Sequence, residues 1–316
     1  MNVLVVGLGA IGTVFSVFLK SAGHNVYGLT KTKYLNDLQG ELEVTGILGK
    51  RKTRLDLVVD SPAKLKDIHF DLIILTVKSF DTETAINEIK EIVSQKTFIL
   101  SAQNGYGNYE TAGNIIGFDK VILGRVIFGS RLLKIGSAEV TVIADAVCIG
   151  NPHNLIPEQT LRNIADIIDK SGIPTYYSEK VYQILWDKIL YNSALNPLGA
   201  ILKCNYGTLA EDENTRKIMN KIIEEIFDIT KMHNIKLNWK DKDEYIKHFY
   251  EKLIPPTKEH FPSMYYDIIS NKRTEISALN GAIVKLAYEK GLSVPTNETI
   301  TLLVKTLENS GEKGEK

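Results

Sequence analysis

The spacing of apolar residues changes character along the chain. Up to residue 178, short apolar and β-branched runs alternate with stretches of helical spacing; from Val181 onward only helical spacing remains. The first run, Val3 to Val6, reads as a buried parallel strand, and an apolar helix follows through Phe15, Phe18 and Leu19 to Gly23. Further strands are predicted over Asn25–Leu29, in a β-rich insertion from Leu42 to Val59, over Asp71–Val77 and over Thr97–Ala102. Residues 121–150 read as several strands broken by Gly124, Gly129 and Gly136, followed by a helix over 158–171 and a last strand over 174–178. Later helices are predicted near 181–201, 213–233, 240–254, 262–271, 273–290 and 296–308, with Gly291 and Pro295 separating the last two. The tail from Asn309 is polar and expected to be disordered. The pattern gives an α/β Rossmann-type domain over 1–178, an all-α domain over 179–308 and a tail over 309–316.

Composition narrows the function classes. The 316 residues suffice for two domains at roughly 100–200 residues each. Lys plus Arg equals Asp plus Glu at 38 each, so no bulk basic field points to nucleic acid or an anionic membrane. No secretory signal is expected before the first strand, and glycines and Lys20 break the apolar runs below spanning length. Cys148 and Cys204 stand far apart without a partner motif, which fits a reducing cytoplasm. The histidines show no metal-ligand spacing, so no metal is expected.

The most specific local motif is Gly7-Leu8-Gly9-Ala10-Ile11-Gly12, a G-x-G-x-x-G between strand and helix. Gly7 permits the tight turn, Gly9 lets the backbone approach a pyrophosphate, and Gly12 lets helix and strand pack. The helix N-terminus then offers N–H groups and a positive dipole end to the phosphates. After the next strand stand Thr30-Lys31-Thr32-Lys33, where an NADH site places an acid for the ribose 2′-OH. NADPH is therefore expected over NADH, with Lys31 on the 2′-phosphate. Lys78 and Asn104 follow the ends of two further strands, at the ligand edge of such a sheet. Either could equally be ordinary loop or turn chemistry.

In the helical half, Lys188, Asn192 and Asn196 recur every four residues along one line of the helix 181–201. Ile184, Leu185, Ile189, Leu195 and Leu198 form much of its apolar stripe. The polar line is either a solvated edge or a row of donors aimed at one small polar ligand. Pro197 has no N–H for the carbonyl of Ser193, so the helix is expected to kink or loosen there. Ser263 is a candidate N-cap, and Glu275 a first-turn acid of the segment Arg273–Gly291.

Taken together in this order, the blocks GLGAIG, TVKSFDT, QNGYG, WDKILYNSALNPLGAI, PSM and RTEISALNG resemble the ketopantoate reductases (2-dehydropantoate 2-reductases) over nearly the whole chain. The resemblance implies a Rossmann domain and an all-helical domain of 6-phosphogluconate dehydrogenase-like architecture, with the active site in the cleft between them. It implies NADPH-dependent reduction of 2-dehydropantoate to (R)-pantoate, towards pantothenate and coenzyme A. By position Lys188 matches the catalytic lysine and general acid, with Glu275 beside it at the junction of cofactor and substrate. Asn104, Lys188, Asn192, Asn196 and Ser263 match substrate contacts. The cofactor set is Gly7 to Gly12, Lys31 in place of the usual Arg, Lys78, Asn104, Ser130 and Glu275. Tyr206 and His260 depart from the pattern, since well-known members have asparagines there. The departure leaves open a different 2-oxo acid with the same chemistry. A non-catalytic NADPH sensor is a third reading, and a homodimer is expected from the family.

Overall fold

The structure is a computed structural model, and it describes residues 1–311. The chain divides into two compact units, the first spanning Met1–Tyr182 and the second beginning at Gln183.

The first unit is built on parallel strands because its apolar runs are buried on both faces. Its strands are β1 (Asn2–Val6), β2 (Asn25–Leu29), β3 (Leu42–Gly46), β4 (Arg51–Thr53), β5 (Leu57–Val59), β6 (Leu72–Leu75), β7 (Phe98–Ser101), β8 (Val121–Arg125), β9 (Phe128–Lys134), β10 (Ser137–Ile143), β11 (Val147–Gly150) and β12 (Thr175–Tyr177). Eight of them form one sheet in the order β12-β11-β8-β7-β6-β1-β2-β5. Every neighbouring pair is parallel except β11 with β8. A smaller sheet has the order β4-β3-β10-β9. The expected insertion therefore divides: β3 and β4 join the small sheet, whereas β5 extends the large one. Helix α1 (Ala10–Ser21) joins a core with both sheets; its Val14, Phe15, Val17, Phe18 and Leu19 are fully buried, with Leu42, Val44 and Val140 in the same cluster. Helices α2 (Thr82–Ile89), α3 (Asn108–Ile116) and α4 (Glu158–Lys170) complete the unit.

The second unit is helical: α5 (Val181–Leu202, whose first two residues fall in the first unit), α6 (Tyr206–Glu211), α7 (Glu213–Met232), α8 (Lys242–His248), α9 (Ser263–Ile269), α10 (Asn280–Glu289) and α11 (Pro295–Gly311). Its core holds Trp186, Ile222, Ile226, Tyr245 and Phe249, all fully buried.

Several expectations change. Helix α5 runs from Val181 to Leu202 with Pro197 inside it, and the Ser193 carbonyl, which the proline cannot serve, accepts from Asn280 Nδ2 at 3.1 Å. Ile184 is only half-buried. Residues 273–290 are not one helix: a 3₁₀ turn (Ile276–Ala278) precedes α10, and Leu279 (φ −109°, ψ −108°) breaks the two apart. Glu275 thus caps a 3₁₀ turn and does not lie in the first turn of an α-helix. Ser263 is the first residue of α9 and Pro262 holds the N-cap position in extended conformation. Asn309, Ser310 and Gly311 continue α11, with Ser310 Oγ donating to Thr306 O at 2.7 Å. The rest of the expected tail, 312–316, lies outside the described residues.

Candidate active site

In the first unit, four motif segments follow the carboxyl ends of adjacent parallel strands: Gly7–Gly12 after β1, Lys31 after β2, Lys78 after β6 and Asn104 after β7. Parallel strands put those ends on one edge, so the topology gathers residues a hundred positions apart. Gly7 and Gly12 there have no room for side chains. Gly7 has φ +92°, and a Cβ on it would lie 2.8 Å from Val77 Cγ1; one on Gly12 would lie 2.0 Å from Gly7 O. Gly9 is the opposite case, since nothing lies within 4 Å of such a Cβ. Gly9 is also the N-cap of α1, and no side chain caps that helix. The first N–H groups of α1 therefore open onto an unobstructed backbone, which suits a pyrophosphate. Thr76 Oγ1 fixes the turn by donating to Gly7 O at 2.5 Å.

Lys31 is exposed and pairs with Asp81, Nζ to Oδ2 at 2.9 Å. Lys78 is half-buried, in extended backbone just before a 3₁₀ turn (Ser79–Asp81). Asn104 sits in a loop turned by Gly105 (φ +85°) and Gly107 (φ +98°). That loop is tied to the end of β6 by a buried chain of bonds. Gln103 Nε2 donates to Val77 O (3.0 Å) and to Thr82 Oγ1 (2.6 Å). Thr82 Oγ1 donates to Asn108 Oδ1 (2.7 Å), and Asn108 Nδ2 donates to Asn104 O (2.8 Å). Glu110 holds the far side, accepting from Gly107 N–H (3.1 Å) and Tyr182 OH (3.0 Å); burial pushes its carboxyl above the usual range. Gln103, Thr82, Asn108 and Glu110 were not singled out from sequence, because isolated amides and hydroxyls carry no spacing signal. Ser130 does not share this edge: it lies on β9 in the small sheet, paired with Val140.

In the second unit, α5 carries Lys188 and Asn192 half-buried and Asn196 buried. Successive members of the row are about 6 Å apart along the axis, so the row spans roughly 12 Å. Asn196 Oδ1 accepts from Tyr206 OH at 2.7 Å. Tyr206 is itself pinned: its N–H donates to His260 O (3.1 Å), while Gly207 N–H donates to Lys258 O (2.8 Å). Its ring meets Tyr191 edge-on at 5.7 Å and His260 at 5.3 Å. Gly199, one turn below Asn196, lies against Pro262; a Cβ there would come 2.8 Å from the proline Cγ. Asn196, Tyr206, His260 and the start of α9, where Ser263 stands exposed, thus share one corner. Burial holds the His260 imidazole below its ordinary range, so it is neutral at pH 7, and raises the Tyr206 phenol well above its own. Glu275 is half-buried and its carbonyl accepts from Ala278 N–H at 2.9 Å.

Residues 3–154 match the family described as ketopantoate reductase PanE/ApbA, and residues 180–308 match its C-terminal domain. The chain belongs to the ketopantoate reductase family. A 2-dehydropantoate 2-reductase of Aquifex aeolicus (strain VF5) is 49% identical over 310 residues, covering 98% of this chain and 97% of the relative. Among solved structures, a PanE/ApbA family ketopantoate reductase from Ralstonia eutropha JMP134 is 25% identical with a TM-score of 0.86, covering 99% of this chain and 100% of the other. D-mandelate dehydrogenase in ternary complex with NADH and anilino(oxo)acetate has the same fold, with a TM-score of 0.88 at 24% identity over 99% of this chain and 100% of the other. The activity that comes with the family is the NADPH-dependent reduction of 2-dehydropantoate to pantoate, on the route to pantothenate, and the chain is an oxidoreductase with NADP(H) as its cofactor. That excludes the sensor reading.

Proposed function

We propose that Lys188 is the general acid of this reduction, and that Asn104, Asn192, Asn196 and Ser263 bind the 2-oxo acid. The cofactor fits the first unit: Gly7 to Gly12 form an open cradle, Lys31 stands at the 2′-phosphate position, and Lys78 and Asn104 follow neighbouring strands. Ser130 stays in the cofactor set by family position alone. When bound, NADPH supplies a hydride to the ketone carbon. Negative charge then grows on the carbonyl oxygen, and the Lys188 ammonium donates a proton to it. An ammonium has a reference pKa near 10.4, so the donor form is present at neutral pH. Glu275, which matches the family's position at the junction of cofactor and substrate, would favour that charged form. Asn192 and Asn196 orient the substrate oxygens, and Ser263 at the start of α9 holds the carboxylate.

The observation that carries this reading is the row on α5 in company with the glycine cradle. General acid catalysis is worth about 10²–10⁴-fold, so Lys188→Ala should lower kcat on 2-dehydropantoate by at least about 100-fold. Turnover within tenfold of the parent would remove Lys188 from that role. Tyr206 and His260 favour a second reading, in which a different 2-oxo acid is the better substrate. A panel of 2-oxo acids followed by NADPH absorbance separates the two.

We propose further that the enzyme is cytoplasmic and forms a homodimer. Both cysteines are free, and among the described residues no helix is long and apolar enough to cross a membrane. A ketopantoate reductase of this fold from Staphylococcus aureus is dimeric. Light scattering on the eluting protein tests the dimer.

A further inference from the structure

A carboxamide has an acceptor oxygen with two lone pairs and an NH₂ donor end, and in Asn196 the oxygen is turned towards Tyr206. Its Oδ1 receives the Tyr206 hydroxyl at 2.7 Å, with both residues buried. Tyr206 has little freedom to release it. The bond from its N–H to His260 O, the Tyr191 ring on one side and the neutral His260 ring on another fix the phenol in place. Turning the amide over would set its NH₂ against the phenol oxygen and leave the buried Tyr206 hydroxyl hydrogen without this acceptor. With the oxygen held towards Tyr206, the end of Asn196 left to face a ligand is its NH₂.

We propose that Tyr206 is a positioning residue for substrate recognition: it locks the Asn196 carboxamide so that Asn196 meets the substrate through its NH₂, as a donor. The group so recognised is an acceptor oxygen of the 2-oxo acid, carboxylate or oxo, and not a substrate hydroxyl acting as donor. The inference rests on the assignment of Asn196 to the substrate site. Tyr206, a departure from the asparagine of well-known members, has on this account exchanged a direct substrate contact for control over a neighbour's orientation.

Steady-state kinetics on Tyr206→Phe, Asn196→Ala, the double variant and Asn196→Asp test it. Phe keeps the ring in its aromatic packing and removes only the donor. Tyr206→Phe should raise the KM for 2-dehydropantoate about five- to tenfold, with kcat within about twofold and the KM for NADPH unchanged. Asn196→Ala should raise the same KM by at least as much, and the double variant should be no worse than Asn196→Ala, because the two residues act as one unit. A structural role alone would move kcat and both KM values together. Asn196→Asp leaves Tyr206 intact and turns an acceptor towards the substrate; it should raise KM at least about tenfold. Near-parent KM in Asn196→Asp, or losses that multiply in the double variant, overturns the inference. An effect of Asn196→Ala without one of Tyr206→Phe overturns the role of Tyr206 and leaves the substrate site standing. No effect of Asn196→Ala overturns both.

Discussion

Lys31, proposed to hold the 2′-phosphate, is paired with Asp81. Lysine holds phosphate as a point charge, without the fork an arginine would bring. Asp81 lies 2.9 Å from it, so a 2′-phosphate there would meet a carboxylate, while a ribose 2′-OH would meet an acceptor. Asp81→Asn should therefore raise the ratio of kcat/KM for NADPH over NADH by about two- to fivefold, the size of an exposed charge pair. Lys31→Asp should push the ratio the other way, towards NADH. A ratio unchanged in both variants would remove the pair from the cofactor site. Lys31 was legible in the sequence, as a cation where an acid was due. Asp81 was not, since fifty positions separate the two and only the neighbouring of β6, β1 and β2 brings their loops together. The Tyr206 to Asn196 bond was hidden for a similar reason: sequence showed an altered residue, but not that its hydroxyl reaches back to α5.

At the scale of elements, α5 shows how a local defect is met by a distant residue. Pro197 removes a helical bond, and the expected loosening is answered by Asn280 from α10, fully buried and bonded to Ser193 O at 3.1 Å. Asn280→Ala should destabilise by about 1–3 kcal/mol, the penalty for an unsatisfied buried carbonyl. Pro197→Ala supplies an N–H to that carbonyl from within the helix, so the double variant Pro197→Ala/Asn280→Ala should recover part of the loss. Urea denaturation followed by tryptophan fluorescence measures it, because Trp186 is on the same helix. No recovery in the double variant would mean that the Ser193 carbonyl is not the source of the penalty. The long helices and the parallel strands were readable because burial imposes a period on many residues at once. Helix α6 was not, being six residues held by the Asn205 cap and by bonds to Lys258 and His260. The 3₁₀ turn at Ile276–Ala278 likewise depends on a break at Leu279 that the apolar pattern runs straight across.

For the whole molecule, charge is balanced at 38 against 38, so the pH dependence of stability comes from a few perturbed groups and not from net repulsion. Both tryptophans, Trp186 and Trp239, lie in the second unit, and their fluorescence reads the unfolding of that unit. Two groups there share a sign. Hydrogen bonds from Lys242 and Lys221 hold Glu224 down to about 2, against an ordinary 4.5. Burial holds His260 below its ordinary 6.5. In each case the unfolded chain binds more protons than the folded one between the folded and ordinary values, so stability rises with pH across that window. The second unit should accordingly lose stability on acidification in two limbs. The first begins near pH 6.5 and should vanish in His260→Asn. The second runs from about 4.5 down to about 2 and should shrink in Glu224→Gln, modestly, because that ion pair is near the surface and salt-screened. In the first unit Glu110 has the reverse sign: its raised folded value means stability falls as pH rises above 4.5, and Glu110→Gln should abolish that fall in far-UV circular dichroism while leaving the fluorescence profile unchanged. A first limb that survives His260→Asn would show that the imidazole is as well solvated in the folded chain as in the unfolded one, and that the corner formed with Tyr206 is open to water.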